Sequence, residues 1–240
     1  MRNFLMALLA SASALTGTAH AGDVFSEEFD GASLDEKWTI LRPVAGNFAV
    51  EKGQLLLISA KPGRFSDESI ENVFMPKVEM PEGDWTMSVK FSGEFQTARE
   101  ELVFGITDTD TSYVTASIGT QGDMYYGWSV FAGIWRAQEG DAHMFSRVLS
   151  SMGCNVCPKG RMFEDFAATI EQPIEARLEK RGHQYIVSAR LGSDEKGWTT
   201  LERLTAINAR GKPVLVLRQT EKVSGETLVK IDSFRIESNE

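Results

Sequence analysis

The chain has 240 residues, 42% of them hydrophobic and 25% charged, with 21 glycines, 7 prolines and two cysteines. That mixture excludes a disordered chain, a collagen and a disulfide-dense miniprotein, and a chain of this size holds one core without staples. The formal net charge is −9, with no cluster of lysines and arginines to offset it, which argues against nucleic acid as a partner.

The first 21 residues read as a secretory signal. Arg2 supplies the positive start, Phe4 to Leu15 an apolar stretch, and Ala19-His20-Ala21 a small-x-small cleavage site. The stretch is shorter than the roughly 20 residues of a membrane span, so no membrane insertion is expected. Cutting after Ala21 removes one of the 25 basic residues and none of the 34 acidic ones, leaving a mature chain at −10. The expectation is a periplasmic or secreted protein whose residues 22–240 form a single domain.

From Gly22 onward, short apolar runs alternate with Gly, Pro, Asn and Asp punctuation, the pattern of an all-β sandwich or barrel. The runs predict strands at Val24–Phe29, Asn47–Glu51, Gln54–Ala60, Ile70–Met75, Trp85–Ser92, Leu102–Thr107 and Tyr113–Gly119. The series continues at Met124–Trp135, Ile174–Lys180, Gln184–Leu191, Thr199–Leu204, Pro213–Gln219 and Thr227–Ser238. Hairpin turns are expected at Glu51-Lys52-Gly53-Gln54 and Lys180-Arg181-Gly182-His183, where glycine tolerates positive φ. No segment keeps a helical period beyond about two turns, although Arg161–Thr169 admits a short helix. Residues from about 138 to 173 read as an irregular insertion that carries both cysteines. A loop of that length is either functional or holds structure of its own.

Within Met124–Trp135, alternation sets Tyr125, Ser129, Phe131 and Trp135 on one face and Tyr126, Trp128, Val130 and Ile134 on the other. A strand apolar on both faces is buried on both, or covers a ligand cleft on one. Tyr and Trp combine an apolar ring with a polar tip, which suits the stacking of a sugar. On the second reading Tyr125, Ser129 and Trp135 are the candidate ligand-binding residues. Trp38, Trp85 and Trp198 read as core or edge residues.

Catalytic patterns are sparse. Glu100 and Glu101 are adjacent and point to opposite faces of a strand, while Asp108 and Asp110 flank a turn. No Gly-x-Ser-x-Gly is present, and with His20 lost only His143 and His183 could act as a base, His183 in a hairpin turn. No Gly-x-Gly-x-x-Gly or phosphate loop is present, so no nucleotide cofactor is expected. Cys154 and Cys157, in Cys-Asn-Val-Cys, read as a local disulfide in an exported protein. The spacing also occurs in redox-active pairs, here without the flanking strand and helix, and in zinc sites, here with only His143 nearby.

The ends of the mature chain carry a resemblance. Phe25-Ser26-Glu27-Glu28-Phe29-Asp30-Gly31 followed by Leu34-Asp35-Glu36-Lys37-Trp38 resembles the opening of concanavalin A-like jelly rolls. That opening is shared by laminarinase-type glycoside hydrolases and β-xylosidase C-terminal-like domains. Gly53-Gln54-Leu55-Leu56-Leu57, the run Ala176–Tyr185, Gly197-Trp198-Thr199-Thr200-Leu201 and the closing Val229–Ile236 are similar to later segments of the same groups, in the same order. The resemblance covers about half of the mature chain.

It implies an all-β, concanavalin A-like jelly-roll β-sandwich of two antiparallel sheets, and a structural calcium ion held by Glu28 and Asp232. It does not carry the laminarinase acids, which retaining chemistry needs about 5 Å apart. Glu-x-Asp occurs only at Glu28–Asp30, Glu82–Asp84 and Glu139–Asp141, none with a following Glu at the family spacing. The strands where the pair is expected, Leu102–Thr107 and Tyr113–Gly119, carry no acid. The resulting expectation is an exported, non-catalytic carbohydrate-binding protein. The alternatives are a glycoside-active enzyme with acids elsewhere, or an envelope protein-interaction module built on the C-x-x-C loop.

Overall fold

A computed structural model of the chain describes residues 22–59, 70–94, 100–109, 112–123, 127–138, 141–152, 173–191, 197–207, 209–219 and 227–239. Among the described residues there is no helix, and the strands run β1 (Gly22–Glu27), β2 (Trp38–Leu41), β3 (Phe48–Glu51), β4 (Gln54–Ile58), β5 (Val73–Pro76), β6 (Trp85–Glu94), β7 (Glu100–Thr109) and β8 (Ser112–Asp123). They continue with β9 (Gly127–Gln138), β10 (Asp141–Met152), β11 (Ile174–Arg181), β12 (Gln184–Leu191), β13 (Thr199–Thr205), β14 (Lys212–Gln219) and β15 (Leu228–Ser238). Residues 1–21, read above as a signal, and Tyr125, Cys154, Cys157 and Arg161–Thr169 lie outside the described residues.

The strands form two antiparallel sheets. The first has the order β13-β12-β11-β6-β15-β4-β3, with β1 also on β15, and the second β10-β9-β8-β7-β14-β5-β2. The expected jelly-roll β-sandwich is the fold observed. The last strand organises the first sheet: β6 runs along one side of it, while β4 pairs with Leu228–Ile231 and β1 with Phe234–Ser238 on the other. A bulge between Ile231 and Ser233 lets β15 serve both neighbours and sets Asp232 outside the ladder.

The core follows from alternation. Ile174, Ala176 and Leu178 of β11, Met87, Val89 and Phe91 of β6, and Val229, Ile231, Phe234 and Ile236 of β15 face inward from the first sheet. Leu102, Phe104 and Ile106 of β7, Val114, Ala116 and Ile118 of β8, Ile134 of β9, and Leu215 and Leu217 of β14 meet them from the second. Trp38 closes one side, edge-on to Phe25, Phe74 and Phe234 with centroids 5.1, 6.3 and 5.5 Å away. Its Nε1 donates to Glu27 Oε2 at 3.1 Å, satisfying a buried indole. The Glu27 carboxylate also accepts from Phe29 N and pairs with Lys37.

Two strands lie outside the runs expected from the sequence. β2 has four residues with Trp38 alone buried, too short for a period to register. β10 occupies Asp141–Met152, inside the stretch expected to be irregular, and pairs with β9 along its length. Its apolar residues come in adjacent pairs, Met144-Phe145 and Val148-Leu149, which hide a period of two. Both hairpins form. Glu51 pairs with Gln54 around Lys52 and Gly53 at φ 53° and 76°, and Arg181 with Gln184 around Gly182 and an exposed His183.

Candidate functional site

The second sheet turns one face to the core and the other away from it. On β7, β8 and β9 the away-facing positions include Gly105, Thr115, Ser117, Gly119 and Gly133. Register aligns these small residues side by side, Thr115 with Gly105 and Ser117 with Gly133. They make a floor on which long side chains from neighbouring strands can lie flat.

Four long side chains gather there. Trp135 of β9 is half-buried, and its Nε1 donates to Ser117 Oγ at 3.1 Å. Arg218 of β14 reaches in from the other side, its guanidinium carbon 5.3 Å from the Trp135 ring centroid. Glu101 of β7 binds that guanidinium: Nη2 donates to Oε2 at 2.8 Å and Nε to the same oxygen at 3.3 Å. The pair is nearly sealed, with 9% and 5% of the Arg218 and Glu101 side chains exposed. Tyr113 of β8 packs on the adjoining cluster of Val73, Val103, Val214 and Val216. Burial raises the pKa of its hydroxyl, and the positive charge of Arg218 offsets part of that rise.

Gly119 makes the arrangement possible. A Cβ there would stand 2.3 Å from Glu100 O and 2.8 Å from Glu101 Cγ, so no larger residue fits beneath the Glu101 side chain. On its other flank Arg218 lines a cavity of about 20 Å³ with Asn47, Asn72 and Phe74, room for roughly one water.

The structure places the sequence candidates unequally. Trp135 stands on the away-facing side of β9, opposite in direction to the core residue Ile134. Ser129 lies in the same strand, its backbone opposite Gln121 and Ser151. Six residues of strand separate it from Trp135, about 20 Å, so only an extended ligand would reach both positions. Tyr125 falls outside the described residues. Arg218, Ser117 and Tyr113 were not among the candidates and Glu101 was considered only as half of an acid pair with Glu100; the row of small residues on alternate positions was the signal available for them.

The acids behave as their adjacency required. β7 starts at Glu100, earlier than expected, so the strand does carry acids. Glu100 points inward, where its carboxylate accepts from Ser59 Oγ at 2.9 Å, from Gln219 Nε2 at 3.2 Å and from Thr227 Oγ1, while Glu101 points outward to Arg218. The two therefore share no cleft.

Glu28 and Asp232 line one groove on the outside of the first sheet, but each carboxylate has its own cation. Arg235 Nε donates to Glu28 Oε1 at 3.0 Å, and Asp232 stands 3.6 Å from Lys90 Nζ while accepting from Gln54 Nε2 at 2.7 Å. Calcium takes six to eight oxygens, and two carboxylates neutralised by Arg235 and Lys90 do not supply such a shell. Trp198, at the edge beside β13, is overlaid by Arg177 at 4.2 Å and Arg190 at 5.0 Å.

No protein-family model matches the sequence, and no curated protein matches it. Solved structures do match. A xylan β-1,4-xylosidase from Bacillus halodurans superposes with TM-score 0.63 at 11% identity, over 89% of this chain and 39% of that one. The Bacteroides ovatus xyloglucan PUL GH43B protein gives 0.63 at 12%, over 97% and 42%. The CBM2 module of the Lactobacillus casei phage J-1 evolved Dit gives 0.56 at 11%, over 90% and 95%. The likeness is one of fold. The chain spans about two-fifths of the length of the two glycoside hydrolase chains, so the resemblance is to a part of each.

Proposed function

We propose that this chain is an exported, non-catalytic carbohydrate-binding protein whose ligand lies along the away-facing side of the second sheet. The observation that carries the reading is Trp135: a half-buried ring, pinned by Ser117 and backed by Arg218. An aromatic platform fixed in advance loses little freedom when a sugar stacks on it. Three considerations support the reading. The fold is that of parts of xylan- and xyloglucan-linked GH43 proteins and of a CBM2 module. Glu101 is tied to Arg218, and Glu100 is turned into the core, so the described part of this face lacks the paired acids of retaining hydrolysis. The sequence begins with a cleavable signal, which suits a periplasmic or secreted protein meeting glycans outside the cytoplasm.

The test is a glycan array probed with the mature chain, with Trp135→Ala and Tyr125→Ala beside it and product analysis on every bound glycan. The proposal expects saturable binding to a plant or bacterial polysaccharide, lost in Trp135→Ala, with no cleavage products. Cleavage would make the chain a glycosidase. Absence of binding to any glycan would turn attention to a protein partner and the Cys154–Cys157 segment.

A further inference from the structure

We infer that the Arg218–Glu101 pair is the polar recognition element of this face and that it takes a vicinal diol of the sugar stacked on Trp135. The inference rests on the proposed carbohydrate reading and names the chemistry that reading would select.

The ion pair is lopsided. Arg218 directs both Nε and Nη2 at the single oxygen Oε2 of Glu101, at 3.3 and 2.8 Å, instead of meeting the two carboxylate oxygens in a parallel fork. Among the described residues, Nη1 of Arg218 and Oε1 of Glu101 have no protein partner, and neither atom is sealed away from solvent without one. A charged donor and a charged acceptor are thus held side by side, with the Arg218 guanidinium over the Trp135 ring.

Two neighbouring hydroxyls match that arrangement. One donates its proton to Glu101 Oε1, and the next accepts from Arg218 Nη1, while the C–H face of the sugar rests on the part of the Trp135 ring that Arg218 leaves open. Neither contact would have to break the existing pair, because both use atoms that the pair leaves over. The chemistry also argues against a uronate as the preferred ligand. A ligand carboxylate on Arg218 would sit against the Glu101 carboxylate, and like charges that close disfavour each other.

A buried ion pair is weak evidence of a stabilising role, since apolar side chains of the same volume do as well or better. Its presence on an otherwise small-residue floor is accounted for by recognition. Gly119 supports this placement, because the space it leaves is filled by the Glu101 side chain.

The experiment uses unmodified wild-type protein first, so that it does not depend on a variant folding. Xylohexaose and cellohexaose, each beside its 2,3-di-O-methyl form, are titrated by calorimetry. Methylation keeps the ring and its stacking face but blocks the diol. Loss of the charge-assisted hydrogen bond to Glu101 Oε1, together with the bulk of the methyl groups beside Arg218 Nη1, is expected to weaken binding about tenfold or more. Glu101→Gln, close in shape, is expected to bind the free hexaose correspondingly weakly and to lose the discrimination against the methylated form. If wild-type binds and Trp135→Ala abolishes it, but free and methylated forms bind alike, the diol inference is overturned while the carbohydrate reading stands. If wild-type binds neither hexaose nor any array glycan, both are overturned.

Discussion

Arg218→Ala should be among the most destabilising single changes on the away-facing side of the second sheet. The substitution removes both donors to Glu101 Oε2 and leaves a carboxylate whose side chain is 5% exposed. Breaking one partner of a buried pair costs roughly 3–5 kcal/mol, because the remaining charge stays desolvated. Loss of the contact with Trp135 adds up to about 1 kcal/mol. For a chain of this size, 3 kcal/mol corresponds to a fall of roughly 6–12 °C in melting temperature. The double variant Glu101→Leu/Arg218→Met replaces the pair with apolar side chains and should return to within about 1 kcal/mol of wild type. Urea unfolding followed by tryptophan fluorescence reads both. A cost below about 1 kcal/mol for Arg218→Ala would mean that the pair is solvated in solution. A double variant as unstable as the single would mean that packing, not the orphaned charge, sets the cost.

Further predictions follow from the same geometry. Gly119→Ala should cost about 1–3 kcal/mol, since its Cβ meets Glu100 O at 2.3 Å, and should also blunt ligand binding by displacing Glu101; an unchanged urea midpoint would contradict it. Calcium and a chelator should leave the melting temperature alike, because Arg235, Lys90 and Gln54 already hold Glu28 and Asp232, and a calcium-dependent rise would refute that assignment. Burial pushes the Tyr185 hydroxyl up to about 12 from its ordinary value near 10. Its stabilising effect is complete below pH 10 and lost as pH climbs from 10 to 12, worth about 2 kcal/mol. Denaturation of Tyr185→Phe across that range should show a shallower loss than wild type, and parallel curves would argue otherwise.

The sandwich was legible because its core strands alternate cleanly. β11 and β15 show it in sequence, and the Lys52-Gly53 hairpin marks where β3 turns into β4. Alternation failed at β10, where apolar residues fall in adjacent pairs, and at β2, whose four residues hold one buried side chain. It also placed the start of β7 too late, because two glutamates look like loop when nothing in the sequence says that one faces the core and the other an arginine 117 residues away. The site was half legible. Trp135 stands out as an aromatic residue in a strand with two apolar faces, but Arg218 comes from β14, distant in sequence, and only the strand order β9-β8-β7-β14 brings the two together.

The central claim is that a carbohydrate binds at Trp135, and the indole N–H resonance of that residue reports it directly. It is identified among the five tryptophans by its absence in Trp135→Phe, and it is followed while the tightest glycan from the array is added. The account predicts a saturable shift of the Trp135 signal, which now reflects its bond to Ser117, with Trp38 and Trp85 unmoved in the core. A bound glycan that instead shifts Trp198, or leaves every indole in place, would contradict it.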